Sequence, residues 1–304
     1  MAVEWFYFAL LSSLLISGVN IVDKILISDF KIPPLVYVLV ISATSLMPLV
    51  TLLFFPLTTL SIGVVLFTIV VGFVRIYYTL PYFQALTIEE VSRVVPVLQL
   101  TPVFVLILSS LFLQEALRPQ DYVAFVLLVL GGTLFAIRLS KGIRISLAFY
   151  LMIISSFMLA VYSVALKYLF STQDFYTIFI WVQVAGFLAF FQMLSFKPLR
   201  GSLVSTYKTT SRRIGVILVA EQAVAYISVF AYSYAIAHGP VALISSVSAT
   251  QPLFVLLFAT LLSYRFPRVL KEELTRTDLF LKGLGLVAIF AGIYLIQIFG
   301  TSVK

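Results

Sequence analysis

Apolar residues run unbroken for about twenty positions at a time along this chain, and polar residues collect between the runs. A run of that length matches the hydrocarbon core of a bilayer, which a helix crosses in about 20 residues. The breaks predict ten helices, near residues 5–27, 35–56, 61–86, 88–113, 120–138, 146–170, 175–196, 213–237, 241–264 and 279–299. Pro33 and Pro34 open the second, Pro56 closes it, and Lys197-Pro198 and Arg200-Gly201 follow the seventh. Strands of a membrane barrel would alternate polar and apolar over about ten residues, so continuous runs select helices. The expected fold class is an all-α polytopic membrane protein of ten transmembrane helices, with no soluble domain inserted.

Composition narrows the function. Of 304 residues, 62% are hydrophobic and only 11% charged, whereas soluble chains carry about a quarter charged. The net charge of +8 would elsewhere suggest nucleic acid. In a membrane protein it marks cytoplasmic loops facing anionic headgroups. The expected partners are therefore a small-molecule substrate and membrane lipids, with no nucleic acid, for a monomer or homodimer. The absence of Cys excludes disulfides, thiolate metal sites and cysteine catalysis, and a single His, His238, excludes a multi-histidine metal site. No cofactor is expected. There is no His-Glu-x-x-His, no Gly-x-Ser-x-Gly and no phosphate-binding P-loop, which argues against an enzyme and against nucleotide-driven pumping. Only Glu4, and no Lys or Arg, precedes the first apolar run, so it reads as a retained helix and not as a signal peptide.

The chain also repeats itself. A shift of 143 carries Phe6, Tyr7, Ser12, Ser13, Lys24, Leu26 and Ser28 onto Phe149, Tyr150, Ser155, Ser156, Lys167, Leu169 and Ser171. A shift of 150 carries Tyr82, Ala85, Val91 and Val97 onto Tyr232, Ala235, Val241 and Val247, and Pro102-Val103-Phe104 onto Pro252-Leu253-Phe254. A shift of 160 puts Gly132 on Gly292. The reading is two repeats, residues 1–140 and 141–304, of five helices each. Five is odd, so the second half enters the membrane from the opposite side. Inverted repeats of this kind are the architecture of carriers that work by alternating access.

Several short patterns then carry a resemblance: Asn20-x-x-x-Lys24, Tyr82-x-x-Ala85-Leu86, Leu100-Thr101-Pro102 and Phe112-Leu113-Gln114-Glu115. In this order and duplicated, the chain resembles the EamA-like family of the drug/metabolite transporter superfamily, from Trp5 to about Ile298. Leu262-Ser263-Tyr264-Arg265 departs from the pattern, lacking the acid. The resemblance implies a ten-helix secondary transporter with a central cavity lined by the first, third and fourth spans of each half. The nearest substrate guess is a small polar or zwitterionic, amino-acid-like metabolite, moved by exchange or with protons. The alternative is a flippase or scramblase for lipid headgroups.

Loops 1–2, 3–4, 5–6, 7–8 and 9–10 hold fifteen of the twenty Lys and Arg, against Arg118 and Lys304 on the other side. The positive-inside rule then places both termini outside the cytoplasmic membrane, opposite to the orientation the resemblance implies. The charge count is preferred, because orientation follows charge.

Charges within the spans are the candidate site residues. Arg75 and Glu221 lie too deep to reach water, a depth at which a charge normally faces a substrate path or a partner. They read either as a binding pair, Arg75 for an anionic group and Glu221 for a cationic end or a proton, or as a structural ion pair. Tyr78 and Tyr82 follow Arg75 at helical spacing, and Ser228 and Tyr232 follow Glu221. Gln99, Ser245, Ser248 and Gln251 extend the polar stripes. Asn20, Lys24 and Lys167 are candidates for the cavity mouth, although both lysines could simply snorkel. Pro102 and Pro252 are candidate gating points, since proline frees mid-helix carbonyls. Thr87-x-x-Glu90 fits a capping box and Glu89–Arg93 a helical ion pair, with a gate as the second reading.

Overall fold

A computed structural model describes residues 4–28, 30–49, 56–88, 97–136, 146–263 and 276–299. All regular structure among them is helical: α1 Glu4–Ser28, α2 Pro34–Thr44, α3 Ile62–Tyr77, α4 Thr79–Ile88, α5 Thr101–Phe112, α6 Pro119–Ala136, α7 Leu147–Thr172, α8 Phe175–Leu194, α9 Lys197–Thr209, α10 Arg212–His238, α11 Val241–Ser248, α12 Gln251–Ser263 and α13 Arg276–Phe299. Seven described stretches are long and apolar enough to cross a membrane: α1, Ile62–Ile88, α7, α8, α10, Val241–Phe258 and Leu279–Phe299. Pro34–Leu49, Thr101–Phe112 and Pro119–Leu134 are shorter apolar helices. Glu89, Glu90 and Arg93 lie outside the described residues, and so does the side chain of Lys24.

Local chemistry starts the helices. Ser61, Asp174 and Ser211 cap α3, α8 and α10 by accepting from the amides of Val64, Thr177 and Ile214, filling donors that a helix start leaves open. The stretch after the seventh span is not only a loop. Pro198 occupies its first turn, Leu199 and Leu203 pack one turn apart onto the core, and Lys197, Arg200 and Lys208 stay exposed. An amphipathic helix, α9, results. The long runs hid it because its apolar stripe is short and its sequence polar.

Neighbouring helices have defined directions. α1 and α10 are antiparallel: Phe8 meets Tyr234 at 4.3 Å between ring centroids, and Ser12 Oγ lies 3.0 Å from Ser228 Oγ. α3 and α8 run parallel, tied at one end by Thr58 Oγ1 and Thr177 Oγ1 (3.0 Å) and at the other by Tyr77, whose hydroxyl donates to Gln192 Oε1 (2.6 Å). Between these ties Gly72 lets the backbones touch. A Cβ there would stand 2.8 Å from the Val182 carbonyl oxygen, the close approach that small residues permit between membrane helices.

Two features recur at the sequence offsets. Ser228 Oγ donates to the Ser12 carbonyl (3.0 Å), and Ser155 Oγ donates to the Tyr78 carbonyl (2.8 Å); shifts of 143 and 150 turn one pair of positions into the other. The fourth and ninth spans also break at matching places. Leu100 N donates to Val97 O (3.1 Å) and Thr250 N to Val247 O (3.0 Å), each turn standing just before the proline-bearing start of α5 or α12. Pro102 and Pro252 therefore occupy the first turn of a new helix, where a missing N–H costs nothing, and not a mid-helix position as expected. The halves are not identical: the third span is interrupted at Tyr78, whereas α10 is continuous.

Candidate functional site

The breaks and the serine contacts surround a cavity of about 140 Å³. α1 supplies Ser12 and Ile16, the third span Arg75 and Tyr78, and the break before α5 supplies Leu98 and Gln99, followed by Thr101 and Pro102. α7 contributes Leu159 and Tyr162, α10 Ser228, Val229 and Tyr232, and the ninth span Ser245, Ser248, Ala249 and Gln251. Helix periodicity explains the recurrence of Arg75 with Tyr78 and of Ser228 with Tyr232, since positions three and four apart share a face.

Arg75 is the charged residue in this wall. It is 7% exposed, its guanidinium lies 5.2 Å from the centroid of the Tyr226 ring, and its Nη1 has no hydrogen-bond partner. Tyr226 is fixed in turn, donating to Ile41 O (2.9 Å) with its hydroxyl 3.0 Å from Ser45 Oγ. Gly186 of α8 leaves room for this arrangement, because a Cβ there would meet Ser45 Oγ at 2.8 Å and Arg75 Nη1 at 3.3 Å. An aromatic face favours the cation, yet an unpartnered buried guanidinium donor is costly. The site is built to receive an acceptor. Around it, the Tyr232 hydroxyl lies 3.2 Å from Ser163 Oγ, and Thr101 Oγ1 is buried without a partner.

Glu221 does not line this wall and forms no described ion pair with Arg75. It joins a separate polar cluster where α1, α2 and α10 meet. The Tyr37 hydroxyl donates to Asp23 and lies 3.0 Å from Glu221 Oε2, which also accepts from Gln222 Nε2 at 2.9 Å. Thr44 Oγ1 donates to Gln222 Oε1 at 3.2 Å. Tyr82 also stands outside the wall, stacking on Phe83 (5.1 Å between centroids) and packing toward α7 at Ala148 and Met152. Asn20 is half-buried on α1 and Pro252 is buried in α12, neither of them in the wall.

Lys167 has a distinct place. Its Nζ donates to the carbonyls of Ile236 and Gly239, both at 2.9 Å, at the C-terminal end of α10. Across the same turn Glu115 accepts from Val241 N at 3.1 and 3.2 Å, at the start of α11. A cation thus closes one helix end and an anion the next start, as the helix dipoles favour. Burial pushes the Glu115 carboxyl above its ordinary value, while Lys167 and the Val241 amide pull it back. Trp5 closes the turn from α1: a Cβ on Gly239 would stand 2.5 Å from its ring.

Reasoning from sequence missed Ser12, Ile16, Leu98, Thr101, Leu159, Tyr162 and Val229 as wall residues, and Asp23 and Tyr37 as partners of Glu221. Ser12 carried a signal, being duplicated as Ser155. Tyr162 and Tyr37 carried none, since each sits in an apolar run without a polar counterpart.

The model of the EamA-like transporter family matches residues 4–137. This stretch is an EamA-like transporter repeat. It contributes Ser12, Arg75, Tyr78 and Gln99 to the cavity, and the chain is an integral membrane protein of a transporter family. No curated protein matches the chain. Among solved structures, one crystal structure aligns over 100% of this chain and 100% of its own with a TM-score of 0.71 at 15% identity. At that identity it shows a shared fold alone. Outside the EamA-like repeat, Tyr162, Ser228, Tyr232 and Ser245 complete the wall.

Proposed function

We propose that this chain is a secondary carrier moving a small polar metabolite with an anionic group across the cytoplasmic membrane by alternating access. Arg75 carries the reading, as the charged lining residue whose buried Nη1 lacks a partner. Guanidinium donors suit carboxylate and phosphate oxygens, and a charge at this depth is rarely kept without such a role. Hydroxyls of Tyr78, Tyr232 and Ser245 and amides of Gln99 and Gln251 suit the rest of a polar solute. Amino acids stay within this class, with the ammonium end meeting hydroxyls and rings instead of Glu221.

Alternating access is supported by the interchangeable contacts Ser12–Ser228 and Ser155–Tyr78 and by the matched breaks at 97–100 and 247–250. In this reading the ten spans form two inverted halves, with both termini outside, and movement follows a gradient or an exchange.

The test is thermal stabilisation of the purified full chain by a panel of small carboxylates, phosphates, amines and neutral polyols. At a hundredfold excess over Kd a ligand contributes about 2.7 kcal/mol of stability. Anions are expected to raise Tm in the wild type and not in Arg75→Gln, and the strongest stabiliser should enter proteoliposomes. Stabilisation by anions that persists in Arg75→Gln, or its absence in the wild type, overturns the reading.

A further inference from the structure

The cluster below the cavity contains more acid than its hydrogen bonds can hold as two anions. Asp23 is 5% exposed and Glu221 6%, and they approach one hydroxyl from opposite sides. The Tyr37 hydroxyl owns a single hydrogen. Donated to Asp23, it leaves the Tyr37 oxygen able only to accept, so the 3.0 Å contact with Glu221 Oε2 requires a hydrogen on the glutamate. Gln222 Nε2 donates to that same Oε2, and Glu221 Oε1 is buried with no partner at all. An orphaned oxygen is far less costly on a neutral acid than on a carboxylate.

The other groups facing the cluster do not neutralise it. Tyr78 and Tyr82, from the third span, are the titratable side chains turned toward Asp23. α10 adds the neutral Gln222 and α2 the neutral Thr44. The cations of α9 that pack beside α2 are exposed. Lys24 adjoins Asp23 in α1, and its side chain is outside the described residues. Among the described side chains, no basic group forms an ion pair with either acid.

We infer that Asp23, Tyr37 and Glu221 form a proton-binding site that holds one proton and locks α1 and α2 against α10, so that proton loss opens the carrier on this side. The inference deepens the carrier reading and rests on it. Glu221 is seven residues before Ser228 on α10, and Asp23 seven after Ile16 on α1; both offsets are about 10 Å at 1.5 Å per residue. The site is thus a separate layer, displaced from the cavity toward the start of α10. Tyr78 is the link, since it lines the cavity and lies within electrostatic reach of both Arg75 and Asp23. The proton leaves from Glu221 Oε2, a carboxyl becoming a carboxylate. The two like charges then flank one phenol and push α10 away from α1 and α2.

The native chain has no Cys, so one buried reporter can follow the opening. Leu218→Cys stands one turn from Glu221 toward the start of α10, where Leu218 is 8% exposed. Its labelling rate in the full chain, in phosphatidylethanolamine–phosphatidylglycerol vesicles, is divided by that of Ser202→Cys on the exposed face of α9, which cancels the thiol's own titration. The ratio should rise by about tenfold between about pH 6 and about pH 9. In Glu221→Gln, whose amide can donate to Tyr37 as the protonated acid does, it should stay low and flat; Asp23→Asn serves as the second isosteric variant. Infrared spectra of the wild type at neutral pH should show a buried carboxylic acid C=O band, lost in the double variant. A flat ratio in the wild type, an equal rise in both variants, or no acid band overturns the proposal. Failure of the carrier reading looks different: anions then leave Tm unchanged while the acid band and the pH-dependent labelling remain.

Discussion

Lys167 and Glu115 hold one turn from two sides, and their substitutions should differ in kind. Lys167→Met removes two charged hydrogen bonds to the end of α10 and should lower stability by roughly 2–3 kcal/mol, read as a fall in Tm of the purified protein. Glu115 has a signed pH dependence. Its folded pKa is raised above 4.5, chiefly by burial, so folding favours the protonated form. Its contribution is fully present below the unfolded value and is lost as pH rises through the folded one. Tm measured against pH should therefore fall for the wild type relative to Glu115→Gln across that window, and parallel curves would remove the role assigned to burial. At this scale the sequence was legible where a polar residue was isolated or duplicated. Arg75 stood out by depth, and Lys167 by its repeat at Lys24. Tyr37 did not, because its importance comes from two carboxylates 14 and 184 residues away, and no local pattern encodes such a meeting.

Helix positions were largely readable from run lengths, since burial in lipid demands continuous apolar helices. Helix interruptions were not, because a two-residue turn inside an apolar run leaves its composition unchanged. Packing gives these elements testable properties. Gly72→Val on α3 meets the backbone of α8 and should cost about 1–3 kcal/mol through overpacking. Gly63→Ala on the same helix meets nothing within 4 Å and should be neutral or slightly stabilising. Equal Tm values for the two variants would show that α3 and α8 do not depend on close approach. Pro102 and Pro252 each stand just beyond a break. Pro→Ala there frees the chain to extend the helix across the turn, so the two variants should shift cavity accessibility in opposite directions, measured by cysteine labelling from each face. Shifts of the same sign would limit the prolines to packing.

For the whole molecule, the distribution of basic residues sets the expected orientation. A cysteine at Ser202, on α9, should be shielded from an impermeant thiol reagent in intact cells, whereas one at Thr59, before α3, should react. The reverse labelling pattern would place the termini in the cytoplasm. The exchange of the Ser12–Ser228 hydrogen bond with the Ser155–Tyr78 hydrogen bond has an energetic consequence at this scale. A carrier that trades one half's interactions for their counterparts in the other passes between two states of nearly degenerate free energy, because every bond that breaks is replaced by one of the same kind. A differential affinity of a few kcal/mol between the states is then enough to reverse their populations. What tips the resting balance is whatever the duplication did not copy: the uninterrupted α10, the Glu115 carboxylate on the Val241 amide, and the Tyr37 bridge between two acids.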